Sequence, residues 1–212
     1  NYEIKEWNET NFDVSENIYC KEAYDKKKWA FISDYARLKI LYDYGGFYLD
    51  TDVEVLKSLN PLCEYDAVSG YETNHSIPTG IIGSQAGNEW IELLLNYYND
   101  RHFIQADGTI DQTTNVIIIT KLTKEKYNIK LDGSVKRFGK NNNIVILPFD
   151  YLCSNNPITN EKKITKSTYT VHHFSGSWLS ETERKYQDKV KIYLNSMGKI
   201  PFMNGSWIKV AK

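Results

Sequence analysis

The feature that most constrains this chain is a helical stripe that stops at a double glycine and passes at once into an acid-tipped apolar run. Over residues 26–43, Phe31, Tyr35, Leu38 and Tyr42 fall at i, i+4, i+7 and i+11, which predicts an amphipathic helix. Gly45 and Gly46 supply its C-terminal stop. The next stretch, "FYLDTDVEVL" over 47–56, reads as a strand emerging from a core.

The same alternation recurs along the chain. Further strand-like runs lie at 2–7, 66–71, 143–148 and 168–174, and helical patterns at 87–101, 112–124 and 180–196. Strands interleaved with helices predict an α/β sheet sandwich. With 212 residues the chain suits a single domain over 1–212 with a real core, and 180–212 reads as a C-terminal helical tail.

Charge and cysteine usage exclude several classes. Lys and Arg number 26 against 27 Asp and Glu, a net charge of -1, so no overall positive field exists to hold nucleic acid. Basic clusters at Lys26, Lys27, Lys28 and at Lys162, Lys163, Lys166 read as solvated faces, with a weak peripheral contact to anionic lipid as the alternative. Cys20, Cys63 and Cys153 are odd in number and widely spaced, which argues against a disulfide framework or a zinc knuckle and makes a reducing cytoplasm the simplest home. No stretch approaches the roughly 20 apolar residues of a spanning helix. The sequence opens at Asn1, directly before the strand-like "YEIKEW", and the expectation is that further residues precede it.

Three constellations could carry chemistry. Asp50 and Asp52 sit at i and i+2, so on an alternating strand both carboxylates face one way and repel, and something positive is expected between them. Alone, D-x-D is a weak signal. Here "FYL" looks buried and the two glycines let a ligand approach the backbone, which favours Mg²⁺ or Mn²⁺ held by hard oxygen ligands. Asp34 and Arg37 ride a helical row ending near that strand, although an ordinary i, i+3 surface ion pair, worth about 0.2–0.5 kcal/mol, is the plain alternative. In "VHHFSGSW", over 171–178, one histidine could be exposed and the other a buried hydrogen-bonding residue, with Trp178 filling a core. Combined with the acids, an imidazole becomes a further ligand and tilts the metal toward Mn²⁺. Ser175, Ser177, the Gly176 backbone and the Trp178 indole are then donors to phosphate. The polar patch "DGTIDQTTN" reads as a loop and helix N-cap, or as Asp111 and Gln112 beside a sugar.

The block "WAFISDYARLKILYDYGGFYLDTDVEVLKSL" resembles the signature of the bacterial capsular-polysaccharide and mannosyl-type glycosyltransferases with a sugar-binding D-x-D motif (family 32-like), and "HHFSGSW" resembles their C-terminal motif. The resemblance implies a GT-A type, Rossmann-like nucleotide-sugar-binding fold, here without its usual first strand. It also implies a nucleotide-sugar donor, UDP-sugar favoured, a divalent metal (Mn²⁺ or Mg²⁺), and hexose transfer with retention to a saccharide or lipid-linked saccharide. By position it implies donor contacts at Asp34, Arg37, Ser177 and Trp178, and metal contacts at Asp50, Asp52 and His173, His172 being able to exchange with His173. Asp111 and Gln112 fall on the acceptor side. The expected setting is capsule or surface polysaccharide synthesis, cytoplasmic or peripheral at the inner membrane face. A toxin-like transferase acting on protein would share these residues. A non-catalytic carbohydrate-binding module, favoured by 16 Tyr and 5 Trp, would release no nucleoside diphosphate from a nucleotide sugar.

Overall fold

The structure, a computed structural model, describes residues 2–157 and 161–176 and, further on, residues 181, 182, 185, 186 and 189. Five helices are described: α1 (Ile18–Asp25), α2 (Trp29–Tyr44), α3 (Glu89–Asn96), α4 (Asn115–Tyr127) and the single turn α5 (Phe149–Leu152). Interspersed with them are seven strands: β1 (Gly46–Leu49), β2 (Val53–Val55), β3 (Ala67–Gly70) and β4 (Ile81–Ser84) between α2 and α3, β5 (Lys136–Phe138) and β6 (Ile144–Leu147) between α4 and α5, and β7 (Thr170–His172) after α5. The main sheet has the order β1-β4-β3-β6-β5, with β3 and β6 parallel and the other neighbours antiparallel. A second, antiparallel sheet pairs β2 with β7. This is a mixed α/β architecture of the GT-A-like kind expected from the sequence.

Side-chain alternation on β3 and β6 sorts the core into two layers. Ala67, Ile144 and Ile146 pack beneath α1–α4 with Leu38, Leu41, Trp90, Tyr98 and Ile119. Val68, Val145 and Leu147 face the other way, against Leu59, Leu62 and Leu152 of α5. Every residue of β3 and β6 is buried, as suits a central parallel pair covered on both faces.

Several expectations are corrected. The run at 2–7 forms no strand; Ile4 is 87% exposed, and the segment is tethered through the Tyr2 hydroxyl, which donates to Asn60 Oδ1 at 2.6 Å. The run at 47–56 is two strands in different sheets, because Asp50-Thr51-Asp52 is turn chemistry and the Val53 N–H closes onto the Asp50 carbonyl at 3.0 Å. Lys26–Lys28 separate α1 from α2, Lys27 having a positive φ of 56°. Gln112 precedes α4 instead of opening it. The expected helix over 180–196 and tail over 180–212 fall almost wholly outside the described residues. All three cysteines are free. Among the described residues no helix is long and apolar enough to cross a membrane.

Candidate active site

The site forms where the two sheets meet. β1 delivers Asp50 at its end, and the Asp50 N–H donates to the Gly80 carbonyl at 2.8 Å, just ahead of β4. Beyond the turn, β2 pairs with β7 in a register that sets Val53 opposite His172, and the His173 N–H donates to the Asp52 carbonyl at 3.0 Å. One ligand atom each from Asp50, Asp52 and His172 thereby falls within 4.8 Å of the others.

Each carboxylate keeps one oxygen pinned and offers the other. Asp50 Oδ1 accepts from the Tyr48 hydroxyl at 2.7 Å and lies 3.5 Å from Arg37 Nη1, while Oδ2 is 4.0 Å from His172 Nε2. Asp52 Oδ2 accepts from both the N–H and the hydroxyl of Ser175 at 2.8 Å, while Oδ1 is 3.2 Å from His172 Nε2. Burial alone would raise the Asp52 carboxyl, but the Ser175 bonds and His172 outweigh it and hold the group below its ordinary value. His172 is 9% exposed and stacks on Phe174, centroids 4.0 Å apart. Its burial pushes the imidazole pKa down despite the pull of Asp52 and Asp50, which favours the neutral ring at neutral pH, the form a metal would require. His172 Nδ1 is buried without a partner among the described residues.

The imidazole in this cluster is that of His172 and not of His173, the residue matched by resemblance. Successive strand residues face opposite ways, so with His172 turned inward His173 turns out, 37% exposed, with Nε2 2.9 Å from Glu54 Oε2.

Arg37 and Asp34 are no surface pair. The Arg37 side chain is 5% exposed and sits as a hub, with Nη2 3.0 Å from Asp34 Oδ1, Nη1 donating to the Thr79 carbonyl at 2.8 Å and Nε to the Ser33 carbonyl at 3.0 Å, all over the Tyr48 ring at 4.7 Å. Burial pushes the Asp34 carboxyl up to about 6, against the lowering pull of Arg37. Asn115, at the start of α4, donates to the Asp34 carbonyl at 3.2 Å. The positive charge expected between the acids is therefore beside Asp50, on the side away from the cluster.

Asp111 lies outside the cluster, with Oδ2 accepting from Arg101 Nε at 3.0 Å and Nη2 at 2.6 Å and Oδ1 accepting from the Thr113 N–H. Gln112 is exposed. Ser177 and Trp178 fall outside the described residues.

Sequence reasoning missed Tyr48 and Gly80. A Cβ on Gly80 would stand 2.6 Å from His172 Cε1, 2.8 Å from Nδ1 and 3.2 Å from Asp50 Oδ2, so only glycine leaves room for the ring. An isolated glycine in an apolar run was the one signal available for it.

Compared with known proteins, residues 1–69 match a family model described as "Glycosyltransferase sugar-binding region containing DXD motif". That match spans Asp34, Arg37, Asp50 and Asp52 and supports a glycosyltransferase; His172 lies beyond it. A search of curated proteins and a search of solved structures returned no match.

Proposed function

We propose that the chain is a metal-dependent hexosyltransferase that moves a sugar from a nucleotide-sugar donor, a UDP-sugar favoured, to a saccharide or lipid-linked saccharide, with retention. The observation that carries this reading is the convergence of Asp50, Asp52 and His172 within 4.8 Å inside the region of the D-x-D match and its partner strand. Two carboxylate oxygens and a neutral imidazole fit Mn²⁺ better than Mg²⁺, which favours oxygen alone. Asp50 Oδ2, Asp52 Oδ1 and His172 Nε2 are the atoms that would hold it. When bound, such a cation supplies positive charge to the leaving diphosphate, where one charge pair at about 4 Å is worth ~4 kcal/mol at an effective dielectric of 20.

The chain's own groups do the positioning. Tyr48 and Ser175 fix the carboxylates so that no rotamer search precedes binding. Arg37 holds Asp34 and Asp50 together, and Asp34, Arg37, Ser177 and Trp178 are the residues proposed to contact the donor. Capsule or surface polysaccharide synthesis at the inner face of a bacterial membrane is the setting we assign. Thermal-shift measurements with UDP-, GDP- and CMP-sugars, with and without Mn²⁺, test the reading. A ligand at 100 times its Kd adds about 2.7 kcal/mol, and stabilisation by one donor that requires Mn²⁺ is expected. No stabilisation by any donor, together with no Mn²⁺ uptake, overturns it.

A further inference from the structure

The two basic runs of the sequence differ in what surrounds them. Lys26, Lys27 and Lys28 make up the whole connection between α1 and α2, and all three are exposed. Their backbone is tied down: Lys27 turns the chain at φ 56°, and the three N–H groups donate back into α1, Lys26 to the Glu22 carbonyl at 3.2 Å, Lys27 to that of Tyr24 at 2.8 Å and Lys28 to that of Ala23 at 2.9 Å. Their side chains are left in solvent, and among the described residues none of the three ammonium groups meets a carboxylate. The acids of the preceding turn are engaged elsewhere, Asp25 with Lys21 Nζ at 2.7 Å, and Glu22 with His102 Nδ1 at 2.7 Å and the Ile104 N–H at 2.9 Å.

Trp29 follows directly. It is 54% exposed and braced edge-on by the Tyr24 ring, centroids 5.6 Å apart. A large exposed indole beside uncompensated cations is the side-chain set that anchors at a membrane–water interface, where the ring sits at headgroup depth and the ammonium groups meet lipid phosphate. The other run, Lys162, Lys163 and Lys166, follows Glu161 and has Ile164 as its exposed apolar residue, with no aromatic ring at 161–166.

We propose that the turn at residues 26–29 docks on an anionic bilayer surface. The three lysines supply the charge complementarity and Trp29 the apolar contact. Four consecutive exposed residues make a point contact, which suits a planar charged surface; an extended polyanion needs a row of cations to match its successive charges. The turn also opens α2, which carries Asp34 and Arg37. At a rise of 1.5 Å per residue, Asp34 lies about 9 Å along the helix axis from Lys28. Docking therefore holds the candidate site close to the headgroups, where a lipid-linked saccharide would present its hydroxyl. That consequence rests on the transferase reading, whereas the docking itself uses no residue of the Asp50–Asp52–His172 cluster.

The test is co-sedimentation of the full chain with vesicles, without Mn²⁺ or donor, so that failure of the transferase reading leaves the result untouched. Binding is expected to phosphatidylcholine vesicles containing roughly one-third phosphatidylglycerol, and not to phosphatidylcholine alone. Lys26→Gln, Lys27→Gln and Lys28→Gln together should weaken it about 100-fold, at about fivefold per lysine, and raised salt should weaken the wild type in the same way. Trp29→Ala should weaken binding at every salt concentration, because burial of an indole is not screened. Melting curves check that each variant folds, and Lys26→Gln alone, with about a fivefold loss, carries the test should the triple variant unfold. Equal binding to both kinds of vesicle, binding to neither, or a folded triple variant within twofold of wild type overturns the proposal. Retention on a soluble anionic polysaccharide without vesicle binding overturns it too, by making a polyanion the occupant.

Discussion

Gly80→Ala is the substitution whose consequence can be worked most directly from the geometry. Gly80 does not occupy the left-handed region, so alanine meets no backbone strain there and the cost is purely steric. The added methyl would stand 2.6 Å from His172 Cε1, whereas ordinary contact begins near 3.4 Å, so the ring must retreat by about 0.8 Å. Phe174, stacked at 4.0 Å, limits retreat on the ring's face. Overpacking of this kind costs roughly 1–3 kcal/mol, and for a chain of this size each kcal/mol lowers Tm by about 2–4 °C. Metal–ligand distances tolerate only about 0.2 Å, so the displaced imidazole should lower Mn²⁺ affinity by 10–100-fold, the range that lost ligand support usually gives. The assay is a Mn²⁺ titration with donor present, beside a melting curve confirming that the variant folds. A folded Gly80→Ala protein with Mn²⁺ affinity within twofold of wild type refutes the reasoning, because it would mean that the His172 ring is not a ligand at its observed position.

Arg37→Ala should unfold more easily by about 3–5 kcal/mol in denaturant titration, since it strands the buried Asp34 beside Asp50; a change below 1 kcal/mol would return the pair to the surface class. His172→Ala should abolish most Mn²⁺ binding while His173→Ala spares it, and isothermal titration of both variants finding the opposite order moves the site to His173. Asp52→Asn should cut turnover about a thousandfold with little change in melting, whereas Asp50→Asn should also lower Tm because it removes a partner of buried Arg37; identical melting shifts refute that division. Glu72 has a folded pKa raised from its ordinary 4.5 to about 7, so its ionisation opposes the fold and stability is lost as pH rises across that window. Glu72→Gln should remove about 3 kcal/mol of that fall, read as a flatter stability curve between pH 4.5 and 7 by urea denaturation.

Much of this was legible in local pattern. The glycine stop after Tyr44, the buried runs of β3 and β6, and the i, i+3 placement of Asp34 and Arg37 are all properties of a few neighbouring residues. β4 was not, because its "IIGS" run is short and glycine-broken, the glycine being required where a Gly83 Cβ would stand 2.4 Å from the Phe47 ring. β5 hid for a different reason: Lys136 and Arg137 on an edge strand look like surface loop. The burial of Arg37 could not be inferred, since arginines are rarely buried and its hydrogen bond to Thr79 spans 42 residues. Gly80 and His172 meet across a still longer separation, through sheet pairing that no local window contains.

The question posed by two acids one residue apart has its answer in where their charge is compensated. A strand would have set both carboxylates side by side on one face, and the turn at Asp50–Asp52 instead aims them at a common point from two sheets. Compensation then comes from outside that point: Arg37 and Tyr48 act on the outer oxygen of Asp50, and Ser175 on the outer oxygen of Asp52. At the point itself stands an imidazole that burial keeps neutral, which adds a lone pair and no charge. The arrangement lowers the cost of holding two carboxylates together while leaving their inner oxygens without a fixed positive charge between them, which is the electrostatic condition that the proposed divalent ion would meet.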